Sequence, residues 1–126
     1  MTETKLETVA KGDNCRLEGP RNSWAIHTEQ AWSAFYVKLE SASNSGLQIP
    51  HVDFSKHSVL AVFMGQKNND GYSTEITTVL QNGKDLEVYV QETSPNHGDR
   101  NSQTLTKPYH IIKVPKAEGK VEFKYL

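Results

Sequence analysis

Val59-Leu60-Ala61-Val62-Phe63-Met64 is the longest apolar run in the chain, and it decides the fold class. The run is apolar at odd and at even positions, so a strand formed here has no face for water. Such a strand is normally central in a sheet and covered on both sides. Because one helix can cover only one side, we expect the sheet to curl or fold over itself to cover the other.

One helix is predicted before this run, over residues 29–41. Trp32, Phe35 and Leu39 recur at helical intervals, after the capping-type Thr28 and an acidic first turn at Glu29. This spacing predicts that the three apolar side chains face the sheet.

A β-hairpin is predicted after the run, and two registers compete for it. A two-residue turn at Asn82-Gly83 sets Ile76 opposite Tyr89 and mixes the two faces of the hairpin. A three-residue loop that ends in Gly83, with Gly83 at positive φ, sets Ile76 opposite Val88. Since a slip by one residue moves a whole face from core to water, we favour the second register.

Further strands are predicted from alternating or β-branched segments, at residues 6–10, 23–26, 109–114 and 121–126. The fold class is therefore α+β and β-rich: a mostly antiparallel, curled sheet or an open barrel or sandwich, with one main helix packed on it. The 126 residues are expected to form a single domain, with a flexible N-terminus at about residues 1–5.

Composition and charge exclude several classes of partner and scaffold. With 15 acidic and 14 basic residues, the chain has no overall field that would draw it to nucleic acid. Its single cysteine, Cys15, excludes an intramolecular disulfide. No apolar stretch is long enough to span a bilayer, so membrane insertion by this chain is not expected.

No set of residues in the sequence predicts a catalytic centre or a cofactor site, so we expect a protein that is not an enzyme and holds no cofactor. The best candidate for a metal site is His51 with Asp53, two residues apart on an extended segment, and His57 beyond them. The competing interpretation is that Asp53 caps a turn before the apolar run. We favour the cap, and a small metal-dependent protein stays the alternative.

Two polar loops, residues 66–72 and 94–106, are longer or richer in Asn, Asp and Gly than packing requires. Loops of this kind on a rigid sheet recognise partners, either as a binding module or as a protease inhibitor. Pairing of exposed strand edges would instead make a self-associating domain. The residues predicted to contact a partner protein are Lys67, Asp70, Gly71, Tyr72, Arg100, Thr106 and Tyr109.

Four blocks of sequence resemble a known family by their order and spacing. They are Pro50-His51-Val52-Asp53-Phe54-Ser55-Lys56, Val59-Leu60-Ala61-Val62 with Gly65 and Lys67, Gly71-Tyr72, and Leu105-Thr106-Lys107-Pro108-Tyr109-His110-Ile111-Ile112-Lys113-Val114-Pro115. Together they resemble the C-terminal domain of the PrcB family, called protease complex subunits, over roughly residues 24–123. The family tends to have Gly-Gly-Tyr where this chain has Asp70-Gly71-Tyr72.

The resemblance implies a non-catalytic domain, often found on secreted or lipid-anchored proteins of the bacterial envelope, that associates with and stabilises a protease. It also implies an extracytoplasmic location. The partner expected from the resemblance is another protein, of the protease class.

Overall fold

The computed structural model describes residues 2–13, 19–39, 51–68, 71–95 and 105–126. Within these ranges the chain forms one helix and eight strands. In chain order they are β1 (Thr2–Glu3), β2 (Glu7–Gly12), β3 (Asn22–Ile26), α1 (Glu29–Leu39), β4 (His57–Phe63), β5 (Ser73–Asn82), β6 (Asp85–Thr93), β7 (Tyr109–Pro115) and β8 (Val121–Tyr125).

The strands form two open, four-stranded sheets. Sheet A has the order β1-β5-β6-β8, and sheet B has the order β2-β7-β4-β3. Neighbouring strands are antiparallel except β6 and β8, which are parallel. The predicted α+β class, with a mostly antiparallel sandwich and one packed helix, is confirmed.

Strand β4 lies between β7 and β3 and is buried on both faces, as its sequence predicts. One face packs under α1 in a cluster that we call the helix-side core: Ile26, Trp32, Phe35, Val52, Val59, Ala61, Phe63 and Ile111. The other face packs against sheet A in the inter-sheet core: Leu60, Val62, Ile76, Val79, Leu86, Val88, Val90, Ile112, Val114 and Ala117. A second sheet therefore provides the cover that one helix cannot.

Helix α1 begins where the sequence predicts. The amide of Ala31 donates to Oγ1 of Thr28 at 3.2 Å, which is the expected N-cap bond. Trp32 and Phe35 are buried in the helix-side core, 1% and 6% exposed, so this part of the predicted stripe is confirmed. The side chain of Leu39 and the predicted end of the helix at residues 40–41 lie outside the described residues.

The register of the β5–β6 hairpin differs from both sequence predictions. Ile76 pairs with Val90, so the predictions of Val88 and of Tyr89 are both wrong. The turn is formed by the two residues Gly83 and Lys84, because Asn82 pairs with Asp85. Gly83 has φ +65°, as predicted, and its first place in the turn is typical of type II′.

The position of the turn and a β-bulge together explain the error in the register. The turn lies one residue beyond Asn82-Gly83 and changes every pair beside it. The ladder shifts between Ile76 and Thr78, which leaves Thr77 as the extra residue. Ile76 and Val79 are three residues apart, yet both point into the inter-sheet core. Strict alternation along β5, which both predictions assumed, therefore does not hold.

The first residues form a strand that the sequence did not indicate. Thr2 and Glu3 pair with Gln81 and Leu80, and the amide of Thr4 donates to the carbonyl of Val79 at 2.7 Å. Strand β1 is thus one edge of sheet A. The single-domain organisation and the flexibility of the N-terminus stay predictions.

Candidate functional site

The two predicted loops leave sheet B side by side, because the ladder between β4 and β7 continues beyond the strands. After the last pair, Phe63 with Tyr109, the amide of Met64 donates to the carbonyl of Pro108 at 3.0 Å. Pro108 directly precedes β7, where its missing amide removes no bond from the strand. The bases of both loops are therefore fixed by the sheet.

A bridge between the loops adds to this rigidity. Lys67 and Thr106 exchange two backbone hydrogen bonds, at 2.8 and 2.9 Å. The amide of Lys107 donates to the carbonyl of Asp13 at 2.7 Å, which ties the second loop to the end of β2. Gly65 has φ +82°, and a Cβ there would lie 3.1 Å from the amide nitrogen of Arg21, so only glycine fits.

Three predicted residues come together at this end of sheet B: Lys67, Gly71 and Tyr72. We call them the loop surface. Nζ of Lys67 lies 5.2 Å from the centroid of the Tyr72 ring, which is within the range of a cation–π interaction. Gly71 has φ +89° and turns the chain just before Tyr72. Asp70 and Arg100 lie outside the described residues.

Thr106 and Tyr109 lie where the second loop joins β7, and they support the loop surface. Thr106 is 5% exposed, and the ring of Tyr109 stacks on Phe63 with centroids 6.3 Å apart. A Cβ at Gly12 would lie 3.1 Å from the Tyr109 ring, so β2 also closes over it. Both residues thus position the loops, and contact of either with a partner stays a prediction.

A groove of about 350 Å³ lies beside Tyr72, lined by Lys11, Gly12, Asp13, Tyr72, Ser73 and Thr74. Oγ1 of Thr74 is buried there and has no hydrogen-bond partner within the described parts of the chain. Sequence reasoning missed Lys11, Asp13 and Thr74. No local motif marks them, since β2 and β5 are distant in the chain and only the two-sheet packing brings them together.

Both loops and the four strands that carry them fall in one segment with a recognised pattern. Residues 58–115 match the PrcB C-terminal family. This match confirms the predicted resemblance, over a shorter range than the predicted 24–123 and a little under half of the chain. Comparisons with curated proteins and with solved structures gave no match. No helix in the described residues is long and apolar enough to cross a membrane.

The candidate metal residues, His51, Asp53 and His57, lie just before the PrcB C-terminal match. Oδ1 of Asp53 accepts hydrogen bonds from the amide of Ser55 at 3.0 Å and from its hydroxyl at 2.6 Å. These bonds lower the pKa of Asp53, and they confirm the predicted cap. Nδ1 of His57 is buried without a partner in the described part of the chain. No group of three His, Cys, Asp or Glu residues there could hold a metal ion.

His110 is a structural residue of the PrcB C-terminal segment that sequence reasoning missed. It is 2% exposed, and its Nδ1 accepts from the amide of Ile76 at 2.9 Å. Nε2 then carries the proton and donates to Oγ1 of Thr8, also at 2.9 Å. Burial lowers the pKa of His110, with a further lowering from Lys11 and an opposing effect of Glu75. The imidazole therefore joins sheet B to the bulge of sheet A.

Proposed function

We propose that this protein is a non-catalytic, protein-binding domain of the bacterial cell envelope that associates with and stabilises a protease. The observation that carries the proposal is the loop surface, which is held rigidly inside the segment that matches the PrcB C-terminal family. The association with a protease and the extracytoplasmic location are proposed from the resemblance to that family.

Preorganisation supports a binding role for the loop surface. A loop that is already ordered loses little conformational freedom when a partner docks, so more of the contact energy remains as affinity. Here, backbone bonds between Lys67 and Thr106 and from Lys107 to Asp13 fix the bases of the loops in the free protein. Tyr72 offers an aromatic ring of the kind that anchors interfaces.

The groove beside Tyr72 supports the same role. Its walls carry an amine at Lys11 and a carboxylate at Asp13. A docking protein can form ion pairs or hydrogen bonds with these two groups. A partner chain that covers Tyr72 and enters this groove therefore gains both apolar and polar contacts.

The hydrogen-bond partner of His27 supports a non-catalytic role. Nδ1 of His27 lies 3.0 Å from Oγ of Ser58, which is the spacing of a nucleophile and its base. Ser58 is fully buried, however, and its Oγ also accepts from the amide of Ala117 at 3.1 Å. A substrate has no access to this hydroxyl, so the pair serves to join β4 to the segments after β3 and β7.

Affinity capture from the envelope fraction of the source cell tests the proposal. The test variant is Lys67→Ala with Tyr72→Ala. Its matched control is Lys124→Ala with Tyr89→Ala, because Nζ of Lys124 also lies over a tyrosine ring, at 5.9 Å, on the outer face of sheet A. We expect the test variant to bind the captured protease at least about tenfold more weakly, which is about 1.4 kcal/mol, and the control to bind like the parent.

The role of the complex is tested with the captured protease. A stabilising subunit lengthens the active life of the protease, whereas an inhibitor, for which a loop on a rigid sheet is equally suited, slows its turnover. Adding Arg100→Ala to the test variant extends the experiment to the second loop. Unchanged capture by the Lys67 and Tyr72 variant, or turnover of a substrate by the parent alone, would contradict the proposal.

A further inference from the structure

Within the described parts of the chain, three of the four sheet edges are protected against pairing with another strand. Strand β1 has only two residues, β2 has a bulge after Thr8 and carries Glu7 and Lys11, and β8 carries Glu122 and Lys124. Short length, bulges and charges are the usual protections of edge strands. Strand β3, with the sequence Asn22-Ser23-Trp24-Ala25-Ile26, has none of them.

The backbone of β3 offers hydrogen-bonding groups on its open side. Its five residues pair in regular register with β4 on the other side, Trp24 opposite Ala61. The amide of Ser23 donates to Oδ1 of Asn22 at 2.8 Å and so does not serve the β4 ladder. Because outward and inward residues alternate in an antiparallel strand, Ser23 and Ala25 direct their backbone groups to the open edge.

An apolar groove of about 400 Å³ runs along this edge, between β3 and α1. Trp24 is 39% exposed in its wall, and the ring of Phe35 lies 5.7 Å from the Trp24 ring. The small side chains of Ala31 and Ala34 on α1 leave the space open. A strand added to β3 would place its own side chains over this groove.

We propose that the protein forms a twofold-symmetric homodimer in which β3 pairs antiparallel with β3 of a second copy. The twofold axis passes beside Trp24, so Ser23 lies opposite Ala25 of the second copy, and Ala25 lies opposite its Ser23. These are the residues whose backbone groups point outward. The amide of Ala25 can donate to the carbonyl of Ser23 of the second copy, and the amide of Ser23 can donate to the carbonyl of Ala25 when it exchanges Oδ1 of Asn22 for that partner. Trp24 then faces Trp24 of the second copy at a non-hydrogen-bonded position, where side chains approach most closely.

The groove and the charges of α1 favour a second copy as the occupant. Each Trp24 supplies the apolar group that covers the groove of the other copy, so both exposed rings are buried by one contact. The twofold axis also sets the two α1 helices antiparallel. The acidic first turn of one, at Glu29, then lies toward the basic last turn of the other, at Lys38. Strand β3 itself has no charge to repel its copy.

Sedimentation equilibrium over a range of protein concentration tests the dimer. We expect reversible association with a Kd of about 1–100 µM, which is the strength of a small interface. Trp24→Lys should make the protein monomeric, because two lysines then face each other. The matched control is Val37→Lys, a site 49% exposed on α1 that does not line the groove, and it should dimerise like the parent.

Mixing and cross-linking keep the proposal testable if Trp24→Lys loses stability. A mixture of Trp24→Lys and Trp24→Glu variants should recover a dimer that neither forms alone. In a Cys15→Ser background, Trp24→Cys should form an intermolecular disulfide, since Cα atoms of such a pair lie about 4.5 Å apart. Val37→Cys should not. A parent that stays monomeric up to about 1 mM, or a dimer that Trp24→Lys leaves intact, would overturn the proposal.

The dimer does not rest on the proposed function. Its interface is the β3 edge, whereas the proposed protease contact is the loop surface. Lys67→Ala with Tyr72→Ala should therefore weaken protease capture and leave the dimer unchanged, and Trp24→Lys should remove the dimer in the absence of any protease.

Discussion

The two cores on either face of β4 are built differently. The helix-side core contains the rings of Trp32, Phe35 and Phe63, which contact one another through Phe35 at centroid distances of 6.1 and 5.7 Å. The buried members of the inter-sheet core are all aliphatic. Aromatic rings have directional contacts that fix a helix on a sheet, whereas aliphatic side chains allow many alignments of two sheets.

Buried polar groups supply the alignment that the inter-sheet core lacks. His110 connects β7 to β5 and β2 through Ile76 and Thr8. The amide of Ile76 lies at the bulge, where a ladder bond is disrupted, so the imidazole satisfies a donor that has no partner in the sheet. On one face of β4, the shapes of aromatic rings fix how the helix packs. On the other face, hydrogen bonds fix how the two sheets align.

The largest loss of stability is expected from removing a buried ring of the helix-side core. Trp32→Ala should lower the free energy of unfolding by about 3–5 kcal/mol, because a fully buried ring leaves a cavity that the neighbouring rings cannot fill. Urea denaturation measures the change. Val37→Ala, at an exposed site on the same helix, is the control and should change stability by less than about 0.5 kcal/mol. A loss below about 1 kcal/mol for Trp32→Ala would show that this core repacks.

Removing the polar bridge should have the next largest effect. His110→Phe keeps a ring of similar size but leaves the amide of Ile76 and the hydroxyl of Thr8 without this partner. We expect a loss of about 1–3 kcal/mol, the cost of a buried donor left unsatisfied. Amide hydrogen exchange of Ile76 should speed up in the same variant. Unchanged protection of this amide would mean that His110 does not align the sheets.

A substitution in the turn of the β5–β6 hairpin should change stability less. Gly83→Val should destabilise by about 1–2 kcal/mol, because a β-branched residue resists φ +65°. A Cβ at Gly83 meets nothing within 4 Å, so the whole effect comes from the backbone. Gly83→Asn is the matched control, since Asn tolerates this conformation, and its loss should be clearly smaller. Equal losses in the two variants would contradict this explanation.

The smallest effect is a dependence of stability on pH. Because burial lowers the pKa of His110 in the folded protein below its ordinary 6.5, the unfolded chain takes up the proton first. Stability should be complete above about pH 6.5 and fall as the pH decreases below it. His27, whose pKa is lowered by burial and by Lys116, acts in the same direction. Urea midpoints measured between about pH 8 and pH 5 should therefore fall less steeply in His110→Phe, and an unchanged slope would exclude His110 as a source.

The sequence predicted the helix side of the fold well. The apolar run of β4, the helical spacing of Trp32 and Phe35 and the turn at Asp53 depend on residues that are close in the chain. Local patterns of this kind reflect local structure directly. It could also be predicted that Lys67 and Tyr72 belong to one surface, because both residues belong to one short loop.

The inter-sheet side could not be predicted in the same way. The bulge at Thr77 breaks the alternation on which any register argument depends, and the residue that satisfies it, His110, is distant in the chain. The groove beside Tyr72 is lined by residues of β2 and β5, so it too forms only when the two sheets pack together. Such features arise only when two sheets are placed against each other, and no pattern within one strand records them.

The parallel pairing of β6 with β8 has a consequence for how the chain reaches its native state. Strand β8 is the last element, yet it completes sheet A beside β6, while β1 and β2, the first elements, pair with β5 and β7. Nearly every pairing except the hairpin joins distant parts of the chain, and folds of this kind form slowly. During synthesis, neither sheet can be completed until its late strand has emerged. Until then, the nascent chain exposes apolar strands, a state that chaperones commonly protect.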